Sequence, residues 1–251
     1  VDAEGNESER TMELATVNSV FQASLRSPMD AAIARHVSLD LSSYTKIDEI
    51  PFDFTRRRMS VIVAKAGRRM LITKGAPEGV LEACTRLELG PDGADVRDMT
   101  PRLRAAVLDE FERLSSDGYR AVAVAYRTIG NGREVYSIAD ESNMTFVGYV
   151  SFVDPPKEST REALEQAEAL GVEIKILTGD NELVTARICE RVGLKVKGVL
   201  MGQDVDALDD SELAARAEQA TVCARLSPDQ KDRVIAALKR SGHVVGYMGD
   251  G

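Results

Sequence analysis

The sequence predicts an α/β protein in two parts, and three observations carry that prediction. Two apolar runs, Met59 to Ala64 and Met70 to Lys74, are separated only by Lys65-Ala66-Gly67-Arg68, the spacing and turn chemistry of a hairpin. From Phe146 onward, short apolar strands alternate regularly with helical stretches, the rhythm of a parallel sheet covered by helices. Helix boundaries carry cap signals, such as Thr100-Pro101 before one periodic stretch and Gly118 after it. The boundary is expected near residue 145, which gives an α+β domain over 1–145 and a parallel α/β domain over 146–251.

In the first part, Met12, Leu14, Val17, Val20, Phe21 and Leu25 approximate a helical stripe, and Ser27-Pro28 opens a second short helix with Asp30, Ile33 and Val37. The hairpin follows, and then a helix-like run of Val80, Leu81, Ala83 and Cys84. Leu103, Val107, Phe111 and Leu114 form the apolar face of the helix begun at Thr100, and Arg120 to Tyr126 reads as a buried strand. Stretches of about 90–99 and 129–144 are rich in Gly, Asp and Asn and are expected to be surface loops. In the second part, strands are expected at Phe146 to Val153, Val172 to Leu177, Val199 to Met201, Thr221 to Ala224 and His243 to Met248. Between them lie helices ended by Gly171 and Gly193, a Ser211-capped helix, and a helix begun by the capping box of Ser227 and Gln230.

The 251 residues, 43% hydrophobic and 29% charged, suit a soluble globular chain of one large or two modest domains. A net charge of −9 argues against a polyanion such as nucleic acid as a partner, so any phosphate site has to be local. No run of about 18 apolar residues is present to span a membrane, and no signal-peptide pattern occurs. Cys84, Cys189 and Cys223 are widely spaced in apolar patterns, which fits buried free thiols, and His36 and His243 are too isolated to form a ligand cluster.

Lys74-Gly75-Ala76-Pro77-Glu78 stands where an apolar run ends and a helix-like run begins. A lysine at a strand end, a glycine that lets a ligand approach the backbone and a proline at the first helical turn can make an anion cradle, although taken alone the motif fits a surface lysine before a tight turn better. In a doubly wound sheet, ligands bind beyond the carboxyl ends of the strands. There the second part places Thr178-Gly179-Asp180, Arg225 with Lys231, and Gly249-Asp250-Gly251. Taken singly, Thr178 and Asp180 fit a helix cap, Asp250 a turn and Lys231 a solvated charge. Together, an oxygen donor, a carboxylate and a cation at successive strand ends favour a phosphate and Mg²⁺ site.

Lys74-Gly75-Ala76-Pro77-Glu78, Asp154-Pro155-Pro156-Lys157, Thr178-Gly179-Asp180-Asn181 and Gly249-Asp250-Gly251, in this order, resemble the cytoplasmic headpiece of a P-type cation-transporting ATPase over nearly the whole chain. The run Ile47 to Phe54, with Arg56-Arg57-Arg58-Met59-Ser60-Val61, is most similar to the bacterial magnesium-transporting branch. The resemblance implies a nucleotide-binding domain followed by an incomplete haloacid-dehalogenase-like phosphorylation domain, with ATP and Mg²⁺ as cofactors. It implies that Phe52 stacks on adenine, although Ile50 and Phe54 beside it also suit a core phenylalanine. It places Asp30 near the adenine amino group and Lys74, Gly75, Arg57 and Arg120 around the nucleotide; calcium pumps carry Glu at the position of Asp30, Lys at that of Arg57 and Arg at that of Phe54. Thr178, Gly179 and Asp180 would hold the phosphoryl group, Arg225 and Lys231 would stand near it, Asp250 would ligate Mg²⁺, and Asp154-Pro155-Pro156 would be the hinge.

The family's Asp-Lys-Thr-Gly-Thr motif, which supplies the phosphorylated aspartate, occurs nowhere between Val1 and Gly251. The chain therefore reads as a fragment that binds nucleotide without turnover. Its implied partners are the remainder of the same pump, at the cytoplasmic face of the membrane, and the cation carried by the absent membrane helices. Two other readings stay open: a free-standing haloacid-dehalogenase-like phosphatase, for which only Asp2 precedes Glu13 as a candidate nucleophile, and a non-enzymatic nucleotide-sensing module.

Overall fold

A computed structural model describes residues 1–23, 27–37, 39–90, 93–153 and 156–249. The chain divides into two compact units, one of Val1–Leu114 with Ala121–Phe152 and one of Ser115–Arg120 with Val153–Gly251.

The first unit is built on a seven-stranded sheet in the order β1-β2-β3-β6-β7-β4-β5. Its strands are β1 (Tyr44–Asp53), β2 (Arg58–Lys65), β3 (Arg68–Gly75), β4 (Cys84–Leu89), β5 (Asp95–Asp98), β6 (Tyr119–Ile129) and β7 (Met144–Val153). The expected hairpin is β2–β3, with Lys65 opposite Arg68 and Ala66 and Gly67 both at positive φ, the backbone of a two-residue primed turn. Helices α1 (Glu9–Phe21) and α2 (Pro28–His36) cover the sheet through one core of Leu14, Val17, Ile33, Val61, Ile72 and Val147. Ser27 caps α2 and Asp30 completes the capping box, so the Ser-Pro start was legible for a local reason. Short α3 (Pro77–Glu82) and longer α4 (Pro101–Ser116) follow.

Three expectations in this unit are corrected. The strand expected to open the second domain is β7, which sits inside the first sheet and pairs in parallel with β4, so the division falls at Phe152 rather than near residue 145. Cys84 opens β4 instead of continuing a helix. Part of the expected 90–99 loop is β5, an exposed strand whose polar composition hid it, because its order comes from pairing with β4 and not from burial.

The second unit has a three-stranded parallel sheet, β8-β10-β9, from β8 (Ile176–Leu177), β9 (Val199–Met201) and β10 (Val222–Ala224). Helices α6 (Glu182–Val192), α7 (Gly202–Ala207), α8 (Asp210–Gln219) and α9 (Pro228–Arg240) pack on the sheet or on one another, whereas α5 (Thr160–Ala169) has no buried residue. Leu200, Val205, Leu213, Cys223, Val234 and Leu238 make its core. Asn181 caps α6, Gly193 ends it at positive φ, and Ser227 with Gln230 forms the expected capping box of α9. Helix α8 is capped by Asp209, not Ser211, because the Asp209 carboxylate accepts from the Ser211 and Glu212 amides. His243 to Met248 is not a strand; β8 and β9 occupy both flanks of β10, and the run finds no ladder partner among the described residues. Only two residues of the expected Val172 to Leu177 strand, Ile176 and Leu177, pair with β10. The three cysteines are buried free thiols, and burial pushes Cys84 up to about 12.

Candidate functional site

In the first unit, β3 carries Lys74 inward, only 7% exposed. Its ammonium donates to Asp30 and, at 2.6 Å, to Ser19 Oγ on α1. Asp30, 5% exposed, is shared by two tasks. As the third residue of α2 it accepts from the Ser27 amide and hydroxyl, both at 2.8 Å, and it also accepts from Gln22 Nε2 at 3.0 Å and Ser19 Oγ at 3.2 Å. Burial works to raise the Asp30 pKa, but Lys74 and Ser27 outweigh it and hold the carboxyl below its ordinary value. Spacing along the chain joins Asp30 to Ser27, but Lys74 lies 44 residues from Asp30 and 55 from Ser19, and nothing in the sequence marks Ser19.

The expected anion cradle at Lys74 to Glu78 is not formed in that shape. Gly75 does permit a close approach, but what approaches is the chain itself: a Cβ there would overlap the Arg57 carbonyl and Arg58. That carbonyl accepts from the Ala76 amide at 2.8 Å. The lysine is thus committed to Asp30, and the glycine to packing β3 against the turn between β1 and β2.

That turn, Phe54 to Arg57, carries Arg57, and Phe52 lies near the end of β1 just ahead of it. Phe52 and Phe54 are 49% and 77% exposed, with ring centroids 5.3 Å apart in an edge-to-face arrangement. The core alternative for Phe52 therefore falls, while Ile50 beside it is buried. Exposed aromatic faces on a sheet edge suit a planar base, since stacking needs only a π-face and an open side. Arg57 follows at φ 51°, half-buried, in the left-handed region.

In the second unit, the ends of β8 and β10 lie side by side. The Thr178 hydroxyl donates to Asp180 Oδ2 at 3.1 Å and accepts from the Asp180 amide at 3.0 Å, a local turn that shapes the strand end. The Thr178 carbonyl accepts from the Leu226 amide and the Asp180 carbonyl from the Arg225 amide, both at 2.9 Å. A Cβ on Gly179 would come within 3.3 Å of the Leu226 carbonyl. Arg225 sits at φ 56° and pairs through Nε with Glu182 at 2.7 Å. Burial acts to raise the Glu182 pKa, and Arg225 more than offsets it, leaving the carboxyl below its ordinary value. Glu182 went unnoticed in the sequence because its partner lies 43 residues away. Arg120, in the short segment that belongs to this unit, pairs with Asp180 at 2.7 Å. Lys231 lies in the first turn of α9, half-buried.

Asp250 and Asp154-Pro155 lie outside the described residues. Among the described residues no cluster of three or more His, Cys, Asp or Glu is placed to hold a metal. Asp2, the candidate nucleophile of the phosphatase reading, is buried and accepts from the Glu4 and Asn6 amides at 2.8 and 3.0 Å, a turn-forming role.

Residues 3–159 match the family described as P-type ATPase, cytoplasmic domain N, and the chain belongs to that family. It is 42% identical over its full length to "Magnesium-transporting ATPase, P-type 1" of Escherichia coli (strain K12) and 43% identical to the protein of that name from Salmonella typhimurium (strain LT2), covering 28% of each. A "Calcium-transporting ATPase" of Bacillus subtilis (strain 168) is 32% identical over 84% of the chain, which covers 24% of it. The chain therefore spans somewhat over a quarter of the magnesium-transporting relatives it matches. Among the described residues, no helix is long and apolar enough to cross a membrane.

Proposed function

We propose that this chain is the nucleotide-binding domain and part of the phosphorylation domain of an ATP-driven cation pump that transports magnesium at a cell membrane. The full-length similarity to magnesium-transporting ATPases supports the choice of pump, since calcium-transporting relatives match less of the chain at lower identity. The exposed Phe52–Phe54 pair beside Arg57 is the observation that carries the nucleotide reading.

In this reading the adenine lies against Phe52, and Arg57 supplies positive charge for the phosphates. Asp30 and Lys74 form the floor; Asp30 orients the lysine, and any contact of Lys74 with nucleotide exchanges with the bond to Asp30. Mg²⁺, held in part by Asp250, would screen the charge of the phosphates. Thr178, Gly179 and Asp180 would receive the transferred phosphoryl group and Arg225 and Lys231 would neutralise it, while the accepting aspartate would come from polypeptide outside this sequence. The chain alone is then a nucleotide binder without turnover.

Calorimetric titration with ATP tests this. Phe52→Ala is expected to weaken binding roughly tenfold, the loss of about 1.4 kcal/mol of stacking, and Arg57→Ala to weaken it less and more strongly at low salt. Wild-type affinity in the Phe52 variant would sink the pocket assignment.

A further inference from the structure

Glu141 is a charged side chain with no exposed surface, and nothing in the proposed chemistry uses it. It lies just ahead of β7, after the short 3-10 turn Ile138–Asp140. Its carboxylate accepts from Arg56, from Arg58 Nε at 3.0 Å and from Ser60 Oγ at 2.6 Å. The Ser60 hydroxyl is in turn 2.7 Å from that of Thr73 on β3. A buried carboxylate requires compensation of this kind, because removing a charge from water without partners is costly.

The consequence falls on the turn. Of three successive arginines, Arg56 and Arg58 are drawn to one buried carboxylate more than 80 residues away. Arg57 between them makes no ion pair among the described residues. Arg56 Nη2 also donates to the Pro51 carbonyl at 2.9 Å, which ties it to the strand bearing Phe52, and Arg58 donates to the Gly79 carbonyl. The backbone is held as well: the Arg57 amide donates to the Asp53 carbonyl at 2.7 Å, and a Cβ on Gly79 would overlap the Arg56 carbonyl. The left-handed φ of Arg57, unfavourable for a residue with a side chain, persists because its surroundings over-determine it.

We infer that Glu141 is a positioning residue for nucleotide binding: by gathering Arg56 and Arg58 it holds the β1–β2 turn so that Phe52, Phe54 and Arg57 are presented already in place. This rests on the nucleotide reading of the first unit. A binding surface ordered beforehand loses less freedom when the ligand arrives, so the effect is on affinity beyond any effect on folding.

The test uses the full chain and two readouts. Trypsin nicking within residues 54–58, measured without nucleotide, reports whether the turn is held; ATP calorimetry reports whether the holding serves binding. Glu141→Gln keeps the shape and removes the charge. It is expected to be nicked at the turn and to bind ATP, each about tenfold worse than wild type, with Arg56→Lys changing both readouts in the same direction. Val107→Ala, a core truncation on α4, provides ordinary destabilisation and is expected to bind ATP as wild type does. Unchanged nicking in Glu141→Gln, unchanged affinity despite faster nicking, or an equal affinity loss in Val107→Ala each overturns the inference. Should Glu141→Gln fail to fold, Arg56→Lys decides by the same criteria. A wild-type chain that binds no ATP overturns the nucleotide reading and this inference together, and the nicking readout separates that result from a failure of the turn alone.

Discussion

Lys74 illustrates how a residue's chemistry is set by what it faces. At a strand end it suggested an open cation for a phosphate, yet its ammonium is enclosed with Asp30 and Ser19. Removing one partner of such a pair leaves an uncompensated buried charge, which is more damaging than losing the attraction itself. The pair also makes stability depend on pH. The Asp30 carboxyl is depressed in the folded chain, so its contribution is complete above the unfolded carboxylate pKa near 4 and is lost as pH falls through the lower folded value. Urea midpoints of the first unit are expected to fall steeply below about pH 4. Asp30→Asn should be less stable at pH 7 by about 3 kcal/mol and should show a shallower acid slope. The chain has no tryptophan, so tyrosine fluorescence or circular dichroism is the suitable signal. An acid slope identical in wild type and Asp30→Asn would show that other carboxylates control it.

Among elements, the β1–β2 turn and the β2–β3 turn show two kinds of local control. The second is a two-residue hairpin whose Ala66-Gly67 backbone follows from turn chemistry alone. The first depends on tertiary packing, because the Gly75 and Gly79 backbones make room for the Arg57 and Arg56 carbonyls. Gly75→Ala is therefore expected to lower stability by about 2 kcal/mol, as overpacking does, by displacing the turn; a urea midpoint equal to that of wild type would contradict the packing. Capping signals performed well as guides for α2, α6 and α9, since a cap involves only residues within one turn. Strand ends in the second unit were read too long, since alternation marks a possible strand and only a neighbour completes it.

For the whole molecule, the two units differ in how their sheets are sustained. The first has long strands such as β3 and β6 zipped over seven consecutive residue pairs, with α1 and α2 closing one core. The second rests on strands of two or three residues, with Val244 and Met248 exposed. Native-state hydrogen exchange is expected to show the amides of β8, β9 and β10 opening at lower free energy than those of β2, β3 and β6. Equal protection in both sets would refute it. If polypeptide beyond this sequence completes the second sheet, protection of β8 should rise in the longer protein.

By itself the sequence determined the hairpin, most helix boundaries and the order of motifs that places the chain among P-type ATPases. Each of these is either local in the backbone or a property of linear order. The tertiary structure alone decided that Lys74 faces Asp30, 44 residues away, that Glu141 gathers two arginines more than 80 residues before it, and that β7 belongs to the first sheet. Turns and caps are satisfied within a few residues, whereas a buried charge takes whichever partner the completed sheet brings within reach, and no spacing rule along the chain encodes that choice.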